Sequence, residues 1–279
     1  MNAHKIIQWL MIILSGFAAL IGILSEDTAA VKTIHTVRGL EIELYAKGIY
    51  KHMSANVAIQ GIAQDWVTLT MAIPLLLVTL FHRRHRQALL LGAGTSAYFL
   101  VTYLFYTAMA MYNALFLIYV CLMGLSFFSF ALYWKKLTSS IKSGDFGKNV
   151  PQQFGSWFLM INSSLIALLW LSIVMPPLFD GSIYPEGLQH YTTLIVQGFD
   201  LGLLLPLGFF AGWQWKKGKL IGWHLGPVYI VFLSILMTAL SAKIMALGFS
   251  GVNVIPSVFI IPTINLLAWG LSYRFIKAL

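Results

Sequence analysis

The chain has 279 residues, of which 59% are hydrophobic and 10% charged, and it carries a formal net charge of +9. An average soluble domain is about 25% charged, and no water-soluble core absorbs this much apolar surface, so a soluble globular class is excluded. A helix that crosses ~30 Å of hydrocarbon needs about 20 apolar residues, and such stretches recur along the whole sequence.

The first stretch, Ile6 to Leu24, follows Lys5 and contains 19 residues. That is longer than the usual ~7 to 15 of a signal-peptide core, so it is expected to be retained as a span. A polar segment, 25–56, comes next. Its partial alternation in Thr33-Ile34-His35-Thr36-Val37 and Glu41-Ile42-Glu43-Leu44-Tyr45, with Gly39 and Gly48 as turn residues, fits either an irregular loop or a small β-hairpin. The second stretch, Val57 to Phe81, contains Gln60, Gln64, Asp65 and Pro74, and leads into Arg83, Arg84 and Arg86. Leu89 to Thr107 and Ala114 to Trp134 follow, the latter holding the lone Cys121, so no intramolecular disulfide forms.

A connector, 139–153, rich in Ser and Gly, reads as a flexible link. Beyond it come Phe154 to Val174 with Asn162, and Tyr191 to Trp213 with Gln197, Asp200 and Pro206. Ile221 to Ala246 carries Lys243, and Val252 to Tyr273 carries Pro256, Pro262 and Asn265, a pattern suited to a discontinuous helix. Trp9, Trp66, Trp134, Trp157, Trp213, Trp215 and Trp223 lie near span ends, where amphipathic rings prefer the membrane interface.

Loop charge orients these eight spans. With the N-terminus inside, the inner segments hold 13 Lys and Arg against the single acid Asp145, whereas the outer segments hold four bases against six acids. Lys and Arg accumulate on the cytoplasmic side, so both termini are expected there, in a multi-pass plasma membrane protein. Contact of the inner bases with anionic lipid headgroups explains the net charge without nucleic acid.

The order Tyr45, Gly48, His52, Gln60, Asp65, Pro74 recurs as Tyr184, Gly187, His190, Gln197, Asp200, Pro206. This suggests a four-plus-four duplication, with a first half 1–138, the linker 139–153 and a second half 154–279. Halves with an even number of spans run in the same sense, related by an axis along the membrane normal, and such halves place their site between them. The fold class is therefore all-α, a polytopic bundle of eight transmembrane spans.

Asp65, Asp200 and Lys243 are the ionisable residues inside the spans, where charge is costly unless it faces a cavity or a partner. Asp65 precedes Arg83 by 18 residues and Asp200 precedes Lys216 by 16. At ~1.5 Å per residue, each carboxylate lies about 24 to 27 Å above the inner charges, and Lys243 lies at a comparable height. Lys243 is thus expected to pair with one of the acids, with Gln60, Gln64 and Gln197 contributing to an outward-side site that binds a small solute or ion.

His52 and His190 are weaker candidates, for an outer metal site shared with the two acids. No haem or nucleotide cofactor is called for: GxSxG, HExxH, Walker and GxGxxG motifs are absent from the sequence. Transport or channel activity is the leading expectation. A non-catalytic sensor, assembly factor or complex subunit that binds a partner protein through its outer segment is the alternative, and an intramembrane lipid-modifying enzyme the third reading.

Overall fold

The computed structural model describes residues 3–36, 39–82, 85–146, 150–182 and 184–279. Arg38, Arg83, Arg84, Lys148 and the Gly147 of the connector lie outside the described residues. Among the described residues, eight helices are long and apolar enough to cross a membrane, consistent with a multi-pass membrane protein.

The chain begins with α1 (Ala3–Leu24) and a two-stranded hairpin, β1 (Thr33–His35) and β2 (Glu41–Glu43). The strands pair antiparallel with Thr33 opposite Glu43 and His35 opposite Glu41, so the alternating segment does form a hairpin. Its base is fastened to α1: Gly48 N–H donates to Asp27 O at 2.6 Å, and Ile49 N–H donates to Ser25 Oγ at 2.8 Å. Gly48 has a φ of +59° and a Cβ on it would lie 2.4 Å from Ser25 O, so the closure requires glycine.

The second span is built in three pieces: α2 (Ala55–Val67), a π-helical turn (Thr68–Ala72) and α3 (Ile73–His82). The sixth has the same build: α7 (Ile195–Phe199), a π-helical turn (Asp200–Leu204) and α8 (Leu205–Lys216). Each π turn ends two residues before a proline, Pro74 or Pro206. Proline has no N–H, and its ring crowds the carbonyl four residues back; the wider turn relieves both problems without breaking the span.

The other spans are α4 (Arg86–Met109), α5 (Phe116–Ser140), α6 (Gln152–Val174), α9 (Leu220–Phe249) and α10 (Ser257–Lys277). The last runs continuously through Pro262 and is not a broken helix. It starts later than expected because the preceding residues are held in a turn, Ile255 N–H donating to Asn253 Oδ1, and Pro256 then caps the helix. The sixth span likewise starts at Ile195 and not at Tyr191, which packs in the preceding loop.

At the centre lie α4 and α9: 72% and 50% of their most apolar windows are buried, against 22% for α6 and for α10. A Cβ on Gly94 of α4 would lie 2.4 Å from Val231 Cγ1 of α9, so glycine sets how closely these two helices meet. Around this axis α4 packs on α5, α9 on α10 and α6 on α8, and α2 also packs on α9. Two buried hydroxyl pairs bridge neighbouring helices, Ser96 with Ser129 (α4–α5, 2.9 Å) and Ser234 with Ser272 (α9–α10, 2.8 Å).

One end of the bundle carries the hairpin; the other gathers the basic residues. At the basic end the connector is anchored, contrary to its expected flexibility. Ile141 and Phe146 are buried, Phe146 stacks on Trp223, and the buried His224 Nε2 lies 2.7 Å from Ile141 O. Apolar side chains inside a Ser- and Gly-rich stretch explain the difference. Trp215, expected at the interface, is fully buried beneath Gly226.

Candidate functional site

Asp65 lies 10 residues into α2, roughly 15 Å from its hairpin end, and is 2% exposed. Two phenols satisfy its carboxylate. Tyr50, in the 3-10 turn Gly48–Tyr50, donates to Oδ2 at 2.6 Å, and Tyr106 of α4 donates to Oδ1 at 2.9 Å. The Tyr106 hydroxyl also lies 3.0 Å from Gly61 O, so its proton is shared. Burial, followed by the neighbouring Asp65 charge, pushes the Tyr50 phenol well above its ordinary range and keeps it a donor. Gly22 of α1 makes the room: a Cβ there would sit 1.9 Å from Asp65 Oδ2. Tyr103 and Tyr119 pack on Tyr106 and seal this pocket with rings.

The adjacent Gln64 is 3% exposed. Its Nε2 donates to Tyr98 Oη and, at 3.1 Å, to Thr102 Oγ1, while its Oε1 has no hydrogen-bond partner among the described residues. Gln60 Nε2 donates to Asn56 O at 3.1 Å.

Asp200 opens the second π turn and is only partly buried. Trp170 Nε1 of α6 donates to Oδ2 at 2.8 Å. Lys243 lies six residues before the end of α9, ~9 Å from that end, at a height comparable to Asp200. Asp65 and Asp200 are the acids near enough to act on it electrostatically. The expected ion pair does not form: among the described residues Lys243 has neither a carboxylate within 4.0 Å nor a hydrogen bond. The acids take neutral aromatic donors instead.

These groups meet at a cavity of about 440 Å³ between the first four spans and the last four. Gln60, Gln64, Gln197, Asp200 and Lys243 all line it. Asp65 does not; it stands one side chain behind the wall, reached through Tyr106, which does line the cavity. Most of the remaining lining is apolar, with Phe105, Leu236, Met237 and Leu240 typical, and Asn162 and Trp170 enter from α6. Both α6 and α10 border the cavity.

A smaller cavity of about 90 Å³ lies towards the hairpin end and shares Val57, Met109, Val196 and Gln197 with the large one. Its cover comes from both halves: Ser54 N–H donates to Tyr191 Oη at 3.4 Å, and His190 Nε2 lies 3.1 Å from His52 O. The two histidines therefore meet through ring and backbone and not as a pair of ligands. Among the described residues, no group of three or more His, Cys, Asp or Glu is placed to hold a metal ion, and the imagined set of His52, His190, Asp65 and Asp200 is not assembled.

Sequence reasoning missed Tyr50, Tyr106 and Trp170, the groups that solvate the acids. A signal was present for one of them. Tyr98, Thr102 and Tyr106 follow at i, i+4 and i+8, a stripe of hydroxyls along one face of α4.

Comparison of the chain with protein-family models, with curated proteins and with solved structures finds no match in any of the three.

Proposed function

We propose that the protein is a membrane carrier that moves a small solute or ion through the interface between two similarly oriented four-span halves. In this reading the basic end and both termini face the cytoplasm, and the hairpin covers the outer mouth. The observation that carries it is the 440 Å³ cavity bordered by both halves, into which Asp200 and Lys243 project from facing spans. A module that only docks a partner needs no such space. The paired π turns ahead of Pro74 and Pro206, and the paired serine bridges, support duplication beyond the order of residues.

On this reading the paired π turns also revise the alignment of the halves. Matching the two π turns sets Thr68 against Asp200 and Asp65 against Gln197, so the two acids are not counterparts. Asp200 is then the acid that meets solute, with Lys243 as the neighbouring cation on the cavity wall. The halves rock about the close contact of α4 and α9, exposing the cavity to each side in turn.

Accessibility labelling tests the mechanism. In a Cys121→Ser background, Leu240→Cys places a thiol on the cavity wall. A membrane-impermeant cationic methanethiosulfonate added to right-side-out and, separately, to inside-out vesicles is expected to modify it from both sides. Modification from one side only, or from neither, removes the carrier reading.

A further inference from the structure

Resting on that reading of the cavity as a solute site, we infer that the solute is a hydrophobic amine, bound as its protonated ammonium ion, with its charge on Asp200 and an N–H on Gln64 Oε1. Three independent features of the cavity converge on this class.

The first is charge. Asp200 is the acid in the cavity lining, and among the described residues it has no ion pair with Lys243 or any other base, so a cation set against its carboxylate offsets the cost of a charge held in a low-dielectric setting. The second is hydrogen bonding. Gln64 lines the cavity and its Oε1 has no partner among the described residues, so a ligand N–H or O–H that reaches it supplies a bond that the fold does not. Asp200 has one oxygen held by Trp170 and its other oxygen without a partner among the described residues, a second acceptor facing the same space. The third is the wall. Phe105, Tyr106, Trp170 and Tyr229 offer ring surfaces among aliphatic side chains, which suit an apolar body and the flank of a cation. Such walls cannot replace the hydration shell of an inorganic ion.

Lys243 is itself a primary alkylammonium lodged at this site without an ion partner. It shows that the cavity accommodates such a head group, and it identifies the group that a ligand ammonium displaces.

Equilibrium dialysis of the purified full-length protein in nanodiscs distinguishes the ligand classes with three probes of one shape: 4-phenylbutylamine, 4-phenylbutyrate and trimethyl(4-phenylbutyl)ammonium. The amine should bind, with the carboxylate at least about tenfold weaker and the quaternary ammonium, which lacks an N–H, intermediate. Asp200→Asn should weaken the amine by about tenfold or more, and Asp200→Glu should restore part of the loss. Lys243→Met removes the competing cation and should tighten the amine. Thermal melts of each variant verify folding.

Preferential binding of 4-phenylbutyrate that is lost in Lys243→Met would overturn the amine class while leaving the cavity as a solute site. Amine binding unchanged in folded Asp200→Asn, or binding of none of the probes, overturns the inference as well. Amine binding that depends on Asp200 without two-sided thiol labelling sustains the inference and sinks the carrier reading.

Discussion

Asp65 and Asp200 are carboxylates on similarly built spans, and their surroundings have opposite character. Asp65 is enclosed: two phenols, a glycine gap in α1 and a set of tyrosine rings leave it no solvent and no unfilled space. Asp200 is propped by a single indole and looks into an open cavity. The same residue type is enclosed by donors in one span and, in the proposed reading, an available ligand in the other. What separates them is the number of donors that neighbouring spans supply, so burial of an acid in a span is not by itself a sign of a binding site.

The sharpest way to break this contrast is at Gly22. Gly22→Val forces a branched side chain into the space of the Asp65 carboxylate and should cost about 3 to 5 kcal/mol by stranding a buried charge, read as a lowered midpoint of unfolding in detergent. Gly198→Val, beside Asp200, where a Cβ meets nothing within 4 Å, should leave the midpoint close to that of wild type. Similar losses at both glycines would mean that the two acids are equally enclosed.

Removing single donors gives the next largest effect. Tyr106→Phe should destabilise by about 1.5 to 3 kcal/mol, because a charge-assisted bond to a buried group is lost. Trp170→Phe should cost less, since water in the cavity can replace the indole N–H at Asp200. If the order were reversed, the cavity beside Asp200 would have to be dry.

Smaller still, Ser96→Ala and Ser234→Ala should each cost about 0.6 kcal/mol, the average for hydrogen bonds between membrane helices. Equal losses sharpen the equivalence of the α4–α5 and α9–α10 contacts; a loss in only one half weakens it.

The smallest effect is expected at the basic end. The Asp145 carboxyl is held below its usual range first by the Lys142 backbone N–H and then by Arg86, 3.0 Å away. A depressed carboxyl contributes stability above its unfolded pKa and loses it as pH falls through the lower folded value. Asp145→Asn should therefore melt slightly lower than wild type at pH 7, with the difference vanishing in acid and shrinking in high salt, because the pair with Arg86 is open to solvent.

Spans and their order were legible because 20 apolar residues leave few alternatives. Their ends were less so. Tyr191 and Val252 are apolar enough to extend a span, but other contacts claim these segments: a long-range bond from Ser54 N–H to Tyr191 Oη, and a local turn in which Ile255 N–H donates to Asn253 Oδ1. At the site, the polar residues stood out by hydropathy alone, which is why Gln60, Gln64, Gln197, Asp200 and Lys243 could be named before their common cavity was seen. Their partners did not stand out. Tyr and Trp are apolar by body and polar at one atom, so Tyr50, Tyr106 and Trp170 were indistinguishable from interfacial aromatics until their hydroxyls and N–H were placed. The π turns were equally hidden, since Pro74 and Pro206 announce a disturbance but not the form it takes.

The Tyr50 bond also bears on how the chain enters a bilayer. Tyr50 precedes Asp65 by 15 residues, whereas Tyr106 follows it by 41. As synthesis proceeds, the second span therefore emerges with one donor for its carboxylate already made, before α4 exists. Trp170 likewise precedes Asp200, by 30 residues. In each case a neutral aromatic donor is synthesised ahead of the acid it serves. For a chain that enters a bilayer as it is made, that order would shorten the interval in which a bare carboxylate has to wait in hydrocarbon.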